Sequence, residues 1–270
     1  MAKDLARKGH SIMVIGRSEE KLAATKVMLE EEPNVGEVMT VKIDLSDSSL
    51  ENYESIRAQI DPENRDIGIL INNAGTFPGS WQRYNKFETD YLRRIVNVNC
   101  LAPVYLTRMI MPGMLERQRG LIVNVSSIIG MIPGLYMSAY GPTKSFLDAF
   151  SLQLQGEYSS HPIDIVNLTP GPVQTKLYTR ASKKVYSFST PTPDDYARTA
   201  LNGCATRYKS FCGFYMHEMI RRTLYVTNAL GLTPLLLNLN VKYMIKGGNL
   251  SPIMRRRQSS VDHAVETTAS

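Results

Sequence analysis

A doubly wound α/β fold built on a parallel sheet is predicted by three features of the sequence. Short apolar runs recur between residues 11 and 168, and they are continuous rather than alternating, as in Ile12-Met13-Val14-Ile15 and Ile67-Gly68-Ile69-Leu70-Ile71. Continuous runs mark strands buried on both faces. A helical pattern separates each run from the next, and small or polar residues stand directly after the runs.

The elements follow in order. Residues 1 to 9 read as the end of a helix, with Arg7 and Lys8 in its last turn and Gly9 placed to stop it. Ser11 to Ile15 is a buried strand. Ser18 caps the next helix, with Glu19 and Glu20 in the first turn and an apolar face through Leu22, Val27 and Leu29. A strand from Val38 to Ile43 ends in Asp44, and a helix covers residues 47 to 60. The strand Ile67 to Ile71 leads into a long helical region, residues 88 to 116. Gly120 to Val125 is a strand, residues 137 to 158 a helix, and Ile163 to Leu168 a strand.

Composition bounds the function. A chain of 270 residues, 43% hydrophobic and 21% charged, can bury one sizeable core. One domain over residues 1–257 is expected, with a disordered tail over 258–270. Cys100, Cys204 and Cys212 form no disulfide or metal motif, and His10, His161, His217 and His263 are scattered. The net charge of +6 is spread out except for Arg255-Arg256-Arg257, so it speaks for solvated faces and not for nucleic acid. The N-terminal run is charged and amphipathic, which is neither a signal peptide nor a spanning segment.

Ligands of such sheets bind beyond the carboxyl ends of the strands. Those positions hold Asn72-Asn73-Ala74-Gly75, then Ser126 and Ser127, then Thr169-Pro170-Gly171-Pro172-Val173-Gln174-Thr175. Asn99, between apolar neighbours in the long helical region, is a poor helix choice unless it has a partner. Tyr140-Gly141-Pro142-Thr143-Lys144 places a phenol and an ammonium four residues apart, on one face if the segment is helical. A fixed positive charge beside a phenol favours the phenolate, and such a tyrosine can exchange a proton with a carbonyl oxygen near neutral pH. A tyrosine packed under a lysine stem on an ordinary helix has the same spacing, so the pair takes its meaning from its surroundings.

Together these residues resemble the short-chain dehydrogenases/reductases. The resemblance is carried by Asp44, Asn72-Asn73-Ala74-Gly75, Asn99, Ser127, Tyr140, Lys144 and Pro170-Gly171, and it spans most of the chain. Within the family, Arg17-Ser18-Glu19-Glu20-Lys21-Leu22, Met111-Pro112-Gly113-Met114 and the apolar C-terminal region are most similar to the 17β-hydroxysteroid dehydrogenase / very-long-chain 3-oxoacyl-CoA reductase branch. The resemblance implies a Rossmann-like fold and an NADP(H)-dependent oxidoreductase of lipid metabolism, in fatty acid elongation or steroid metabolism. It implies Tyr140 as the general acid, Lys144 lowering the tyrosine pKa and binding the nicotinamide ribose, and Ser127 on the substrate oxygen. Asn99 would hold a water linking Lys144 to solvent. Asn73, Ala74 and Gly75 would line the adenosine side, Asp44 would meet the adenine, and Pro170, Gly171, Val173 and Thr175 complete the implied cofactor-binding set alongside Tyr140 and Lys144. It also implies a membrane-associated protein at the endoplasmic reticulum surface, or otherwise a cytoplasmic one.

Cofactor choice has a separate signal. An acid after the second strand of a dinucleotide fold suits NAD, and an arginine suits the 2′-phosphate of NADP. Here Val14-Ile15-Gly16 runs into Arg17, which favours NADP.

Two departures from the family stand out. Its opening strand and glycine-rich turn have no counterpart in residues 1 to 16, where half of a βαβ unit is expected. The chain is therefore read as a fragment of low activity. The missing strand would be central, leaving unpaired edges at the strands 11–16 and 67–71. Pro142 is tolerated only in a helix's first turn, so that helix should begin near Ser138 or Ala139.

Residues 172–195 read as a loop over the substrate or a connector, and Asp194-Asp195 open a helix to about residue 203. The region 216–245 is apolar but interrupted by Asn228, Gly231, Pro234, Asn238 and Asn240. It suits a pocket wall, a helix pair on a membrane surface with the arginine cluster toward headgroups, or a homodimer interface. Asn124 and Asn167 begin N-x-S/T matches on buried strands, so no glycosylation is read from them; a third begins at Asn249. The leading function is NADPH-dependent reduction of a hydrophobic ketone, a long-chain 3-oxoacyl-CoA or a 17-ketosteroid. The rival is a non-catalytic relative that binds a lipid or a protein partner, for which the absent glycine turn argues.

Overall fold

Strand pairing in the computed structural model is parallel throughout the described residues, which are 1–61, 63–78, 82–131, 136–176, 178, 188–206 and 209–232. Strands β1 (Ile12–Gly16) and β2 (Val38–Lys42) form one sheet. Strands β3 (Ile69–Asn72), β4 (Gly120–Val125), β5 (Ile163–Leu168) and β6 (Ser210–Phe211) form a second, in that order. The helices are α1 (Ala2–Arg7), α2 (Glu19–Glu30), α3 (Leu50–Ile60), α4 (Thr89–Val96), α5 (Ala102–Glu116), α6 (Gly141–Glu157), α7 (Pro193–Cys204) and α8 (Tyr215–Ala229).

Local chemistry sets most boundaries. Ser18, Ser49 and Thr192 accept hydrogen bonds from Lys21, Asn52 and Asp195 amides at 3.4, 3.2 and 3.2 Å, satisfying donors that a helix start leaves open. Gly9 ends α1 at φ +88°, a conformation natural to glycine. Pro142 occupies the first turn of α6, as its missing N–H requires, but the helix starts later than expected. A turn closed by Gly141 N to Met137 O at 2.8 Å precedes it, and Tyr140 is the N-cap. Val27, expected on the buried face of α2, is 58% exposed, so Leu22 and Leu29 alone of that set reach the core. The two-residue β6 is too short to leave a periodic signal, and α8 runs through the stretch expected to be broken at Asn228. Residues 177 and 179–187 of the expected loop, residues 233–245, the Arg255–Arg257 cluster, Asn249 and the 258–270 tail lie outside the described residues.

Neighbours along one strand explain the two-sided burial. On β4, Ile122 packs into a core with Ile56 and Ile60 of α3, Leu106, Ile110 and Met114 of α5 and Ile165 of β5. Val123, one residue on and therefore on the other face, packs with Val166, Leu168 and the α7 residues Tyr196 and Ala200. Near the carboxyl ends, Asn72, Asn124 and Asn167 lie side by side in register and buried. Asn72 donates to Asn124 at 2.8 Å and to Thr107 of α5 at 3.2 Å, Asn124 to Ser151 of α6 at 2.9 Å, and Asn167 to Asp148 of α6 at 3.0 Å. This polar row pins α5 and α6 to the sheet just below the strand ends. The burial of Asn124 and Asn167 agrees with the reading that neither carries a glycan.

As the strand order leads one to expect, β1 and β3 are not hydrogen-bonded to each other. Their free edges open on one cavity of about 1530 Å³, lined there by Met13, Ile15, Ile69, Ile71, Val98 and Leu106. Gly68 O bonds to Leu121 and Ile12 N to Glu37. By the alternation of a strand, the amides of Met13, Ile15 and Ile69 therefore face the gap. These amides are expected to exchange with deuterium at least ~100-fold faster than those of Ile122 and Val123 in β4. Equal protection in a residue-resolved exchange experiment would show that the gap closes in solution. No described helix is long and apolar enough to cross a membrane, and no metal-binding cluster occurs among the described residues.

Candidate active site

The cavity runs from the gap to the carboxyl ends of β3, β4 and β5, where its wall contains Asn73, Ala74, Gly75, Ser127, Tyr140, Lys144, Pro170, Gly171, Val173 and Thr175. Three expected site residues, Arg17, Asp44 and Asn99, are not part of that wall.

Tyr140 and Lys144 are joined by the first turn of α6, where Lys144 N bonds to Tyr140 O at 3.3 Å. Ser126, the residue after β4, donates its hydroxyl to Lys144 O at 2.9 Å and so fixes this turn against the sheet. The Tyr140 ring is buried among Ile95, Met137 and Ala139 and meets Phe77 edge-on, with centroids 4.9 Å apart. Burial pushes its phenol up to about 12, while a hydrogen bond with the Ser127 side chain draws it back. The Lys144 ammonium donates to Val125 O at 2.8 Å and stands 5.7 Å from the Tyr140 ring centroid. Burial lowers Lys144 to about 8, against opposing pulls from Asp148 and Cys100. Burial thus pushes both groups toward their neutral forms, the phenol up and the ammonium down.

Ser127 begins a 3-10 turn, Ile128–Gly130, and its oxygen accepts from Ile129 N at 3.3 Å. The same hydroxyl reaches Pro170 O at 3.4 Å, and the Ile128 amide donates to that carbonyl at 3.1 Å. The loop after β4 is thereby tied to the Pro170 turn after β5.

Asn99 lies fully buried in a π-helical segment, Asn97–Leu101, between α4 and α5. Such bulges are frequent at functional sites. Its side chain takes the Thr76 amide at 2.8 Å and donates to Thr76 O and Thr143 Oγ1, each at 3.0 Å. Thr143 in turn donates to Tyr140 O at 2.7 Å. Asn99 thus welds the loop after β3 to the tyrosine turn. Both amide hydrogens are committed, so a water held there would donate to an Asn99 oxygen. A Cβ on Gly75 would stand 3.6 Å from Asn99 Oδ1 and 3.7 Å from Lys144 Nζ, which shows how near this loop passes. Thr76 and Thr143 were not expected site residues, because nothing in a local pattern reveals a partner that far along the chain.

Arg17 and Asp44 follow β1 and β2 and are exposed. Burial raises the Asp44 carboxyl, but Ser46 hydrogen bonds and the charges of Arg17 and Arg94 bring it below its ordinary value.

The model of the family described as short chain dehydrogenase matches residues 1–185. A very-long-chain 3-oxoacyl-CoA reductase of Anas platyrhynchos is 35% identical over 215 residues, 75% of this chain and 66% of that protein. Hydroxysteroid dehydrogenase-like protein 1 of Gallus gallus is 33% identical over 220 residues, 81% of this chain and 65% of that protein. The chain thus spans about two thirds of the length of these relatives. Among solved structures, a short-chain dehydrogenase from Sphingobium yanoikuyae in complex with NADPH superposes with a TM-score of 0.72 at 27% identity, covering 86% of this chain and 88% of the other. A bulky-bulky ketone specific alcohol dehydrogenase from Comamonas testosteroni shares the fold, with a TM-score of 0.70 at 24% identity over 86% of each chain.

Proposed function

The chain belongs to the short-chain dehydrogenase family, and from that premise we propose that it reduces a hydrophobic ketone with NADPH. What supports this reading above all is the convergence of Ser127, Tyr140 and Lys144 on one wall of a cavity whose other walls are largely aliphatic. Long-chain 3-oxoacyl thioesters are the substrate class that the name of the Anas platyrhynchos relative suggests, and steroids, with 17-ketosteroids as our reading, the second.

The residues present suit the nicotinamide end of the coenzyme. Lys144 carries three ammonium hydrogens and spends one on Val125 O, and the Asn73–Gly75 backbone passes beside it. Arg17 would hold a 2′-phosphate and Asp44 the adenine. When bound, NADPH supplies the hydride. Tyr140, still protonated far above neutral pH, donates its proton to the ketone oxygen. Ser127 turns its single hydroxyl hydrogen from Pro170 O to the ketone oxygen as charge develops there, and the Lys144 charge stabilises the phenolate left behind.

A membrane surface is the proposed location, at the endoplasmic reticulum. The exposed apolar side chains of Tyr215, Tyr225 and Val226 on α8 and of Leu230 just beyond it support a lipid or protein contact there. The deciding experiment is a fluorescence titration with NADPH and NADH. Arg17→Ala is expected to weaken NADPH binding by about 10- to 100-fold, the worth of one charge-assisted hydrogen bond, and to leave NADH unchanged. An equal effect on both coenzymes would remove the phosphate role, and no saturable NADPH binding by the purified chain would remove the reductase reading.

A further inference from the structure

His217, read from sequence as one of four scattered histidines, stands in the first turn of α8 with none of its side chain reaching solvent. Its Nε2 lies 3.0 Å from Pro172 O and 3.0 Å from Ser189 O. Both carbonyls can only accept, so Nε2 carries the hydrogen and Nδ1 is the bare nitrogen. Nδ1 is buried without a hydrogen-bond partner. A proton added there would be an uncompensated buried charge, and burial holds the imidazole below its ordinary pKa although the two carbonyls pull the other way. The ring packs against Phe214, with centroids 5.2 Å apart, and more loosely against Tyr196. It is a fixed neutral donor, unsuited to acid–base work.

The turn it reaches has need of a donor. Pro170 and Pro172 bring no N–H, so the turn is anchored chiefly through its carbonyls. Pro170 O receives Ile128 N and Ser127 Oγ, and Pro172 O receives His217. The ring also lies hard against Gly171, where a Cβ would come within 2.7 Å of Cδ2 and 2.9 Å of Cγ. Gln174 extends the contact, donating its amide to Pro191 O at 3.0 Å and its side chain to Thr190 O at 2.6 Å. Residues 172–174 and 189–191 are thus stitched together, with His217 bridging the two. We propose that His217 is a positioning residue for the reduction: its Nε2–H fixes the Pro170–Gly171–Pro172 turn, and through Pro170 O, which holds the Ile128 amide, that turn fixes the backbone from which the Ser127 side chain projects. The catalytic half of this rests on the role given to Ser127 above.

His217→Phe keeps an aromatic ring without the donor, and His217→Gln keeps an N–H at similar reach. In ketone reduction by the full chain with NADPH, His217→Phe is expected to lose about tenfold in kcat with KM little changed, and His217→Gln to recover most of the loss. Equal kcat in all three proteins overturns the proposal. So does a Gln variant as impaired as the Phe variant, because packing and not the donor would then be responsible. A second measurement needs no activity. The Ile128 amide, held by Pro170 O, should exchange about tenfold faster in His217→Phe and at the wild-type rate in His217→Gln. Nitrogen-15 spectra of the wild-type ring should show the proton on Nε2 between about pH 6 and 8. Unchanged Ile128 exchange overturns the proposal, and so does a wild-type ring protonated at Nδ1, a readout that holds even if His217→Phe does not fold. If these readouts behave as expected and no ketone is reduced, the failure lies with the catalytic reading and not with the clamp.

Discussion

Replacing Tyr140 by phenylalanine is expected to lower kcat for ketone reduction by about 10²- to 10⁴-fold, the range spanned by a single positioned proton donor. The ring contacts that hold the residue, with Phe77, Ile95 and Met137, involve carbons that phenylalanine retains. Coenzyme affinity and stability should therefore change little, and the loss should appear in kcat and kcat/KM together. The phenol is well suited to giving its proton because burial keeps it protonated up to about 12. The price of that arrangement is a poorly stabilised phenolate once the proton has gone. Unchanged NADPH oxidation in Tyr140→Phe would end the catalytic assignment and leave the binding-protein reading standing.

Lys144→Met is the second large effect, and its signature is a separation of activity from stability. The ammonium is the positive charge beside that phenolate, and removing such a group is expected to lower kcat by about 10²- to 10³-fold. Yet the lysine is 4% exposed and its charge is disfavoured by burial, so an unbranched apolar replacement should leave the melting temperature unchanged or higher. The pH dependence has a definite sign. Lys144 loses its proton above about 8 while Tyr140 keeps its own, so kcat/KM for reduction should fall as pH rises through about 8. Between about 8 and the ordinary lysine value of 10.5, the unfolded chain binds a proton that the folded chain does not. The contribution of this group to stability therefore rises with pH across that window. A pH profile that is flat to pH 10, or a large drop in melting temperature for Lys144→Met, would show that the side chain is structural.

Much of this was legible in the sequence for a simple reason. Strand and helix periods are local, and residues placed just after apolar runs are brought to one edge by any parallel sheet. β4 and β5 match their expected ranges, Gly120–Val125 and Ile163–Leu168, because turn residues bound them on both sides. Ser127, Tyr140, Lys144 and the Asn73–Gly75 loop meet at one cavity as their spacing suggested. The start of α6 was misjudged because Tyr140 has helical dihedrals, φ −95° and ψ −50°, yet serves as the cap, a distinction that only the preceding turn at Met137 makes.

By itself, then, the sequence determined the α/β alternation, the edge at which the chemistry collects and the residue types that carry it. Which atoms those residues spend on one another was decided by tertiary structure alone. Asn99 gives its side chain to Thr76 and Thr143, His217 gives Nε2–H to two carbonyls, and the Asn72–Asn124–Asn167 row locks the helices to the sheet. The order of the Tyr140 and Lys144 pKa values was decided there too. Desolvation depends on everything packed around a group, and hydrogen bonds between distant residues leave no period in the chain. Tyr140 and Lys144, four residues apart in sequence, have their proton affinities set by the burial that neighbours such as Phe77 and Ile95 impose on the phenol and by the charge of Asp148 beside the ammonium.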